Sequence, residues 1–95
     1  MKTIVENLVN DKGNRTANQF IIRNDEGLFF QSYESMICKV GKNGRVILGR
    51  DWDYSNTTRK YLYTFLRDYT RFQVRSRKEL LKLLSDKAIE VDENL

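Results

Sequence analysis

Between Thr57 and Thr70 the apolar residues are Tyr61, Leu62, Phe65, Leu66 and Tyr69. On a 3.6-residue period they form one continuous stripe, and Arg59, Lys60, Thr64, Arg67, Asp68 and Arg71 fall off it. A helix with one apolar face needs a flat surface to lie on. Asp53, Tyr54, Ser55 and Asn56 make a poor helix interior but a good helix start, with Ser55 or Asn56 as N-cap and Asp53 beside the positive end of the dipole.

The chain before this helix reads as strands. Thr3 to Val9 favours a strand through its Ile4-Val5 pair. A turn at residues 11–14 leads to a strand over Gln19 to Arg23. Asn24 to Gly27 closes a hairpin, and Leu28 to Tyr33 returns. Met36 to Val40 alternates as a half-buried strand, Asn43-Gly44 favours a tight primed turn, and Arg45 to Leu48 comes back. After the helix, Phe72 to Arg75 reads as a connector. Ser76 and Glu79 have the spacing of a capping box, ahead of a short helix anchored by Leu80, Leu81, Leu83 and Leu84. Ile89 and Val91 alternate with acids, as in a short strand. The expected fold is α+β: a small antiparallel sheet of four to five strands, one long amphipathic helix packed on it, and a second short C-terminal helix. Phe29/Phe30, Ile21/Ile22 and Ile37/Cys38 place apolar residues on both sheet faces. The commoner arrangement has the second helix covering the far face; the other leaves that face to a partner.

The chain has 95 residues, and residues 1–95 read as one domain with a radius of gyration of about 12 Å. So small a body leaves little room for a deep enclosed cavity. The single cysteine makes no internal disulfide, so the chain reads as cytoplasmic rather than secreted, and no apolar run approaches the roughly 18 residues of a membrane span. The N-terminus carries no apolar core of a signal peptide. Residues 1–58 hold eight Lys/Arg against seven Asp/Glu, whereas residues 59–87 hold nine against three. The excess positive charge therefore sits on the helical segment.

Three blocks carry a resemblance. They are Asn18-Gln19-Phe20, Phe30-Gln31-Ser32-Tyr33 after the Gly27 turn, and Trp52-Asp53-Tyr54-Ser55-Asn56-Thr57-Thr58-Arg59-Lys60-Tyr61. In this order they resemble a family of short, functionally uncharacterised bacteriophage proteins with an FQSY block and a WDYSxTTxKY block. The resemblance covers about residues 17–66 and weakens after Leu66. It implies phage origin and a non-enzymatic role, and supplies no catalytic or binding residues to carry over.

No catalytic constellation is visible. Cys38, Ser32, Ser35 and Ser55 lack a histidine to act as base, and the glycines form no phosphate-cradling loop. Cys38 reads as a small core residue. Asp51 and Asp53 have the spacing of two metal-binding carboxylates but no third acid, so turn bonding and helix-start electrostatics explain them better. No catalytic, metal or cofactor site is expected. Trp52 and Tyr54 read as staples of the helix onto the sheet, and Tyr63 fits core and partner surface equally.

The candidate partner or nucleic-acid surface is Arg59, Lys60, Tyr63, Arg67, Arg71, Arg75, Arg77, Lys78 and Lys82. Its cations fit two arrangements equally, a phosphate-facing stripe and an ordinary solvated helix face. The leading expectation is a phage-encoded binding protein in the host cytoplasm that interferes with a host defence protein or ribonucleoprotein complex, as anti-CRISPR proteins do. That class rests on analogy from the suspected origin. Direct DNA or RNA binding through the basic face is the alternative, and a structural homodimer or virion component is a third. Neither the monomer nor the dimer involves a membrane.

Overall fold

The computed structural model describes residues 2–95. Six strands form one sheet: β1 (Ile4–Val9), β2 (Arg15–Asn24), β3 (Gly27–Ser32), β4 (Ser35–Gly41), β5 (Val46–Gly49) and β6 (Glu90–Asp92). Their spatial order follows the chain order. The first five make an antiparallel meander. Between β5 and β6 lie α1 (Asn56–Tyr69) and α2 (Arg77–Ser85), and β6 returns parallel to β5. The α+β class and the two helices match the sequence reading. The strand count and the purely antiparallel sheet need correction. β6 is a three-residue strand, and a chain that crosses over through two helices re-enters the sheet in parallel. Arg45 bonds Glu90 and fastens this last strand to its neighbour.

The turn before β5 is not of the primed kind. Such a turn needs positive φ at both central residues, and among residues 41–44 only Gly44 has it (φ 83°). The Gly44 amide bonds Gly41 O at 2.9 Å, and the Gly41 amide bonds Arg45 O at 2.9 Å. Gly44 is thus the left-handed residue of a bulged hairpin loop, a position that favours glycine.

Both helices lie against the same sheet face. Leu62, Phe65 and Leu66 from α1, Val74 from the connector and Leu80 from α2 join Leu8, Ile21, Phe30, Cys38, Val46 and Leu48 in one core. Phe30 stacks on Phe65 with centroids 5.6 Å apart. The second helix therefore does not cover the far face, and Leu81 points outward rather than anchoring. A register shift opposite Phe30–Gln31 puts an extra residue in β4. It turns Ile37 and Cys38, neighbours in sequence, into the same core. The approach beside this bulge is tight: a Cβ on Gly49 would stand 2.0 Å from Met36 O. Phe29 stays on the far face, between Ile22 and Lys39, with the lysine ammonium 5.5 Å from its ring centre. The radius of gyration is 12.3 Å.

Candidate functional site

The fold divides the candidate cations between ion-paired and unpaired positions. Arg59, on the first turns of α1, donates to Asp53 Oδ1 at 2.6 Å and also bonds Asn56. Arg77, at the start of α2, grips the same carboxylate through Nε at 3.0 Å and Nη2 at 2.8 Å. Asp53 is thereby the staple between the two helix starts. The Arg77 hydrogen bond, with Arg59 in support, holds its carboxyl below the ordinary range. Arg67 is claimed by Asp11 at 2.8 Å, from the β1–β2 turn, and by its neighbour Asp68 at 3.0 Å. These three arginines serve intramolecular ion pairs. Sequence hid this because Asp11 and Asp53 lie far along the chain from Arg67 and Arg77.

Lys60, Arg71, Arg75, Lys78 and Lys82 make no salt bridge among the described residues. Lys60 and Arg75 meet Tyr63 and Arg67 around a shallow cavity of about 300 Å³, whose rim also includes Asp11. Tyr63 is half-buried against the core, which raises its hydroxyl pKa. Arg71 lies over the ring of Phe72 at 5.0 Å. Lys78 and Lys82 are exposed on α2.

A larger cleft, about 770 Å³, opens on the other side of the α1 start. Its lining brings together the three sequence blocks: Gln19 from the first, Ser32 and Tyr33 from the second, and Tyr54, Ser55, Thr57 and Thr58 from the third. None of these was predicted as a site residue. The signal was nevertheless in the sequence, in three blocks rich in polar and aromatic side chains.

Local structure explains the shape. Ser55 is the N-cap of α1, and its hydroxyl accepts from the Thr58 amide at 3.0 Å. Trp52 is buried in the core beneath this turn, as expected, whereas Tyr54 is 81% exposed and staples nothing. Across the cleft, Asn18 (φ 61°) and Tyr33 (φ 54°) both adopt left-handed backbone. The Tyr33 amide bonds Asn18 O at 2.7 Å, and the Gln31 amide group bonds Tyr33 O at 2.6 Å. Asparagine tolerates that conformation, but tyrosine pays for it with roughly 1–2 kcal/mol. Tyr33 is the first of the two residues joining β3 to β4, and a tight hairpin turn takes positive φ there. Behind it, the Ser35 hydroxyl donates to Asp51 Oδ2 at 3.2 Å.

Gln19 forms part of the cleft floor. It is 3% exposed, and its Oε1 is buried with no hydrogen-bond partner. Buried polar atoms are almost always paired, so an orphan oxygen beside an open cleft marks the place as unusual.

Cys38 is sealed in the core, and burial pushes its thiol far above the ordinary range. Asp51 and Asp53 diverge to Ser35 and to the arginines, and no cluster of three metal-binding side chains occurs among the described residues. No helix among these residues is long and apolar enough to cross a membrane.

No curated protein and no solved structure matches the chain significantly. A family model does match, over residues 3–82, and so takes in the strands of the meander, α1 and the first turns of α2. The chain belongs to the family of unknown function DUF8033.

Proposed function

We propose that this is a small non-enzymatic binding protein that acts by seating part of a partner protein in the cleft at the start of α1. The observation that carries this reading is the convergence of residues from β2, the β3–β4 turn and the α1 start on one open cavity. The β3–β4 turn and the α1 start each supply an exposed tyrosine to it, and exposed aromatic rings beside polar groups are the usual anchors of protein interfaces. The sequence resemblance adds a setting: a phage-encoded protein in the host cytoplasm, interfering with a host defence protein or ribonucleoprotein complex in the manner of anti-CRISPR proteins.

The test is capture from host lysate with the tagged protein, with and without nuclease treatment. A stoichiometric protein partner that survives nuclease and is lost with Tyr33→Ala/Tyr54→Ala supports the reading. Capture unchanged by that double substitution, or turnover of a substrate by the purified chain, overturns it.

Direct nucleic-acid binding is the second reading, favoured by Arg71, Arg75, Lys78 and Lys82, which have no acid partner among the described residues. With these four on phosphates, log affinity for duplex falls with log salt at a slope of about −3 to −4. A flat response to salt, or no binding to nucleic acid at low salt, removes it.

A further inference from the structure

The charges around the large cleft differ from those of the chain as a whole. The protein carries a net charge of +4. Yet the residues lining this cavity include no lysine or arginine and two carboxylates, Glu34 and Asp51. The start of α1 also opens here, and a helix start attracts anions with the equivalent of roughly half a positive charge. That attraction is already partly spent, because the Ser55 hydroxyl takes the Thr58 amide. Asp51 has the exposed Arg50 guanidinium 3.9 Å away, which offsets part of its charge. Glu34 has no ion pair among the described residues, so the lining keeps a negative balance that disfavours an anion.

Hydrogen-bonding capacity points the same way. Besides the two carboxylates, the cleft has one buried polar atom without a partner, Gln19 Oε1, and it is an acceptor. Gln19 lines the cleft and the last torsion of its side chain is soft, so rotation of the amide can turn this oxygen to a donor there. The exposed rings of Tyr33 and Tyr54 add two faces that attract a cation. A planar, multiply donating cation satisfies all three features at once, and a guanidinium has that form.

We propose that the cleft is a receptor for an arginine side chain presented by a partner protein, held by Glu34 and Asp51, stacked on Tyr33 or Tyr54, and bonded to Gln19 Oε1. This rests on the reading of the cleft as a protein-docking site and names the chemistry that enters it.

The test is a titration of the ¹⁵N-labelled protein followed by amide chemical shifts. Three probes are used: N-acetyl-arginine-N-methylamide, its neutral citrulline counterpart, and a short oligothymidylate. The arginine probe should shift the amides of Tyr33 to Ser35 and of Tyr54 to Thr58, with a Kd on the order of millimolar, as befits so small a ligand. The citrulline probe should bind at least about tenfold more weakly, a 1.4 kcal/mol difference. Glu34→Gln/Asp51→Asn should remove the arginine response while preserving the dispersion of the spectrum. Equal binding of citrulline, an arginine response centred on other residues, or no response overturns the proposal. So does a response of these same amides to oligothymidylate alone, which would assign the tyrosines to base stacking. Failure here with cleft-dependent capture of a lysate partner intact would reject only the arginine and leave the docking reading standing.

Discussion

The two ends of α1 make opposite use of their polar residues. Around the Arg67 end, positive charge is abundant in the sequence, but Asp11 and Asp68 neutralise Arg67, and the neighbouring cations are dispersed over a loop and a second helix. Around the Ser55 end, Arg59 and Arg77 are likewise committed to Asp53, yet an orphan oxygen, a left-handed tyrosine and two exposed rings gather at one cavity. A charge count along a chain registers side chains before their ion pairs are made. Binding capacity depends on what remains after folding has made them. By that measure the cleft is the better-provided end.

Both ends rest on one core, and its largest perturbation tests that first. Phe65 is fully buried between Phe30 and Tyr69. Phe65→Ala should cost about 3 to 5 kcal/mol in urea unfolding, a large share of the stability of so small a domain. A loss under about 1 kcal/mol would show that the stripe does not join the two ends to the sheet.

A smaller effect separates structure from function at the cleft. Because Tyr33 is 64% exposed with left-handed backbone, Tyr33→Gly removes strain at little cost in burial. Stability should stay within about 1 kcal/mol of the parent, on the side of a gain, while partner capture falls. A larger loss of stability would mean that the ring is a structural prop.

The smallest effect sharpens the contrast in charge. The Asp53 carboxyl has a lowered pKa in the folded state, so its contribution is present above the ordinary aspartate value of about 3.9. It is lost as pH falls through the lowered value, because the unfolded chain takes up the proton first. Asp53→Asn should lower the urea midpoint at about pH 7 and narrow the drop in midpoint between about pH 7 and pH 3. An unchanged pH dependence would show that Arg59 and Arg77 are not committed to Asp53 in solution.

Periodicity made the core of the fold legible. The α1 stripe, the Ser55 start, the second helix and its Ser76 cap all follow local rules; the Ser76 hydroxyl accepts from the Glu79 amide at 3.2 Å. Glu79 in turn accepts from the Arg75 amide at 3.0 Å, one residue earlier than the cap itself. What local rules miss is set by distant partners. The bulge that turns Ile37 and Cys38 the same way depends on pairing with β3. The parallel return of β6 depends on the path through both helices. The fate of Arg67 depends on a turn at the other end of the chain. The cleft escaped notice for the same reason: Gln19, Tyr33 and Tyr54 acquire a common surroundings only when β2, the β3–β4 turn and the α1 start are brought side by side.

The most direct measurement compares two variants in nuclease-treated lysate of the proposed host: the cleft variant Tyr33→Ala/Tyr54→Ala and the cation variant Arg71→Gln/Arg75→Gln/Lys78→Gln/Lys82→Gln. All six altered residues are exposed, so both proteins should unfold within about 0.5 kcal/mol per site of the parent. If the cleft is the docking site, the cation variant keeps a stoichiometric protein partner and the cleft variant loses it. Retention by the cleft variant with loss from the cation variant would contradict that and return function to the basic end.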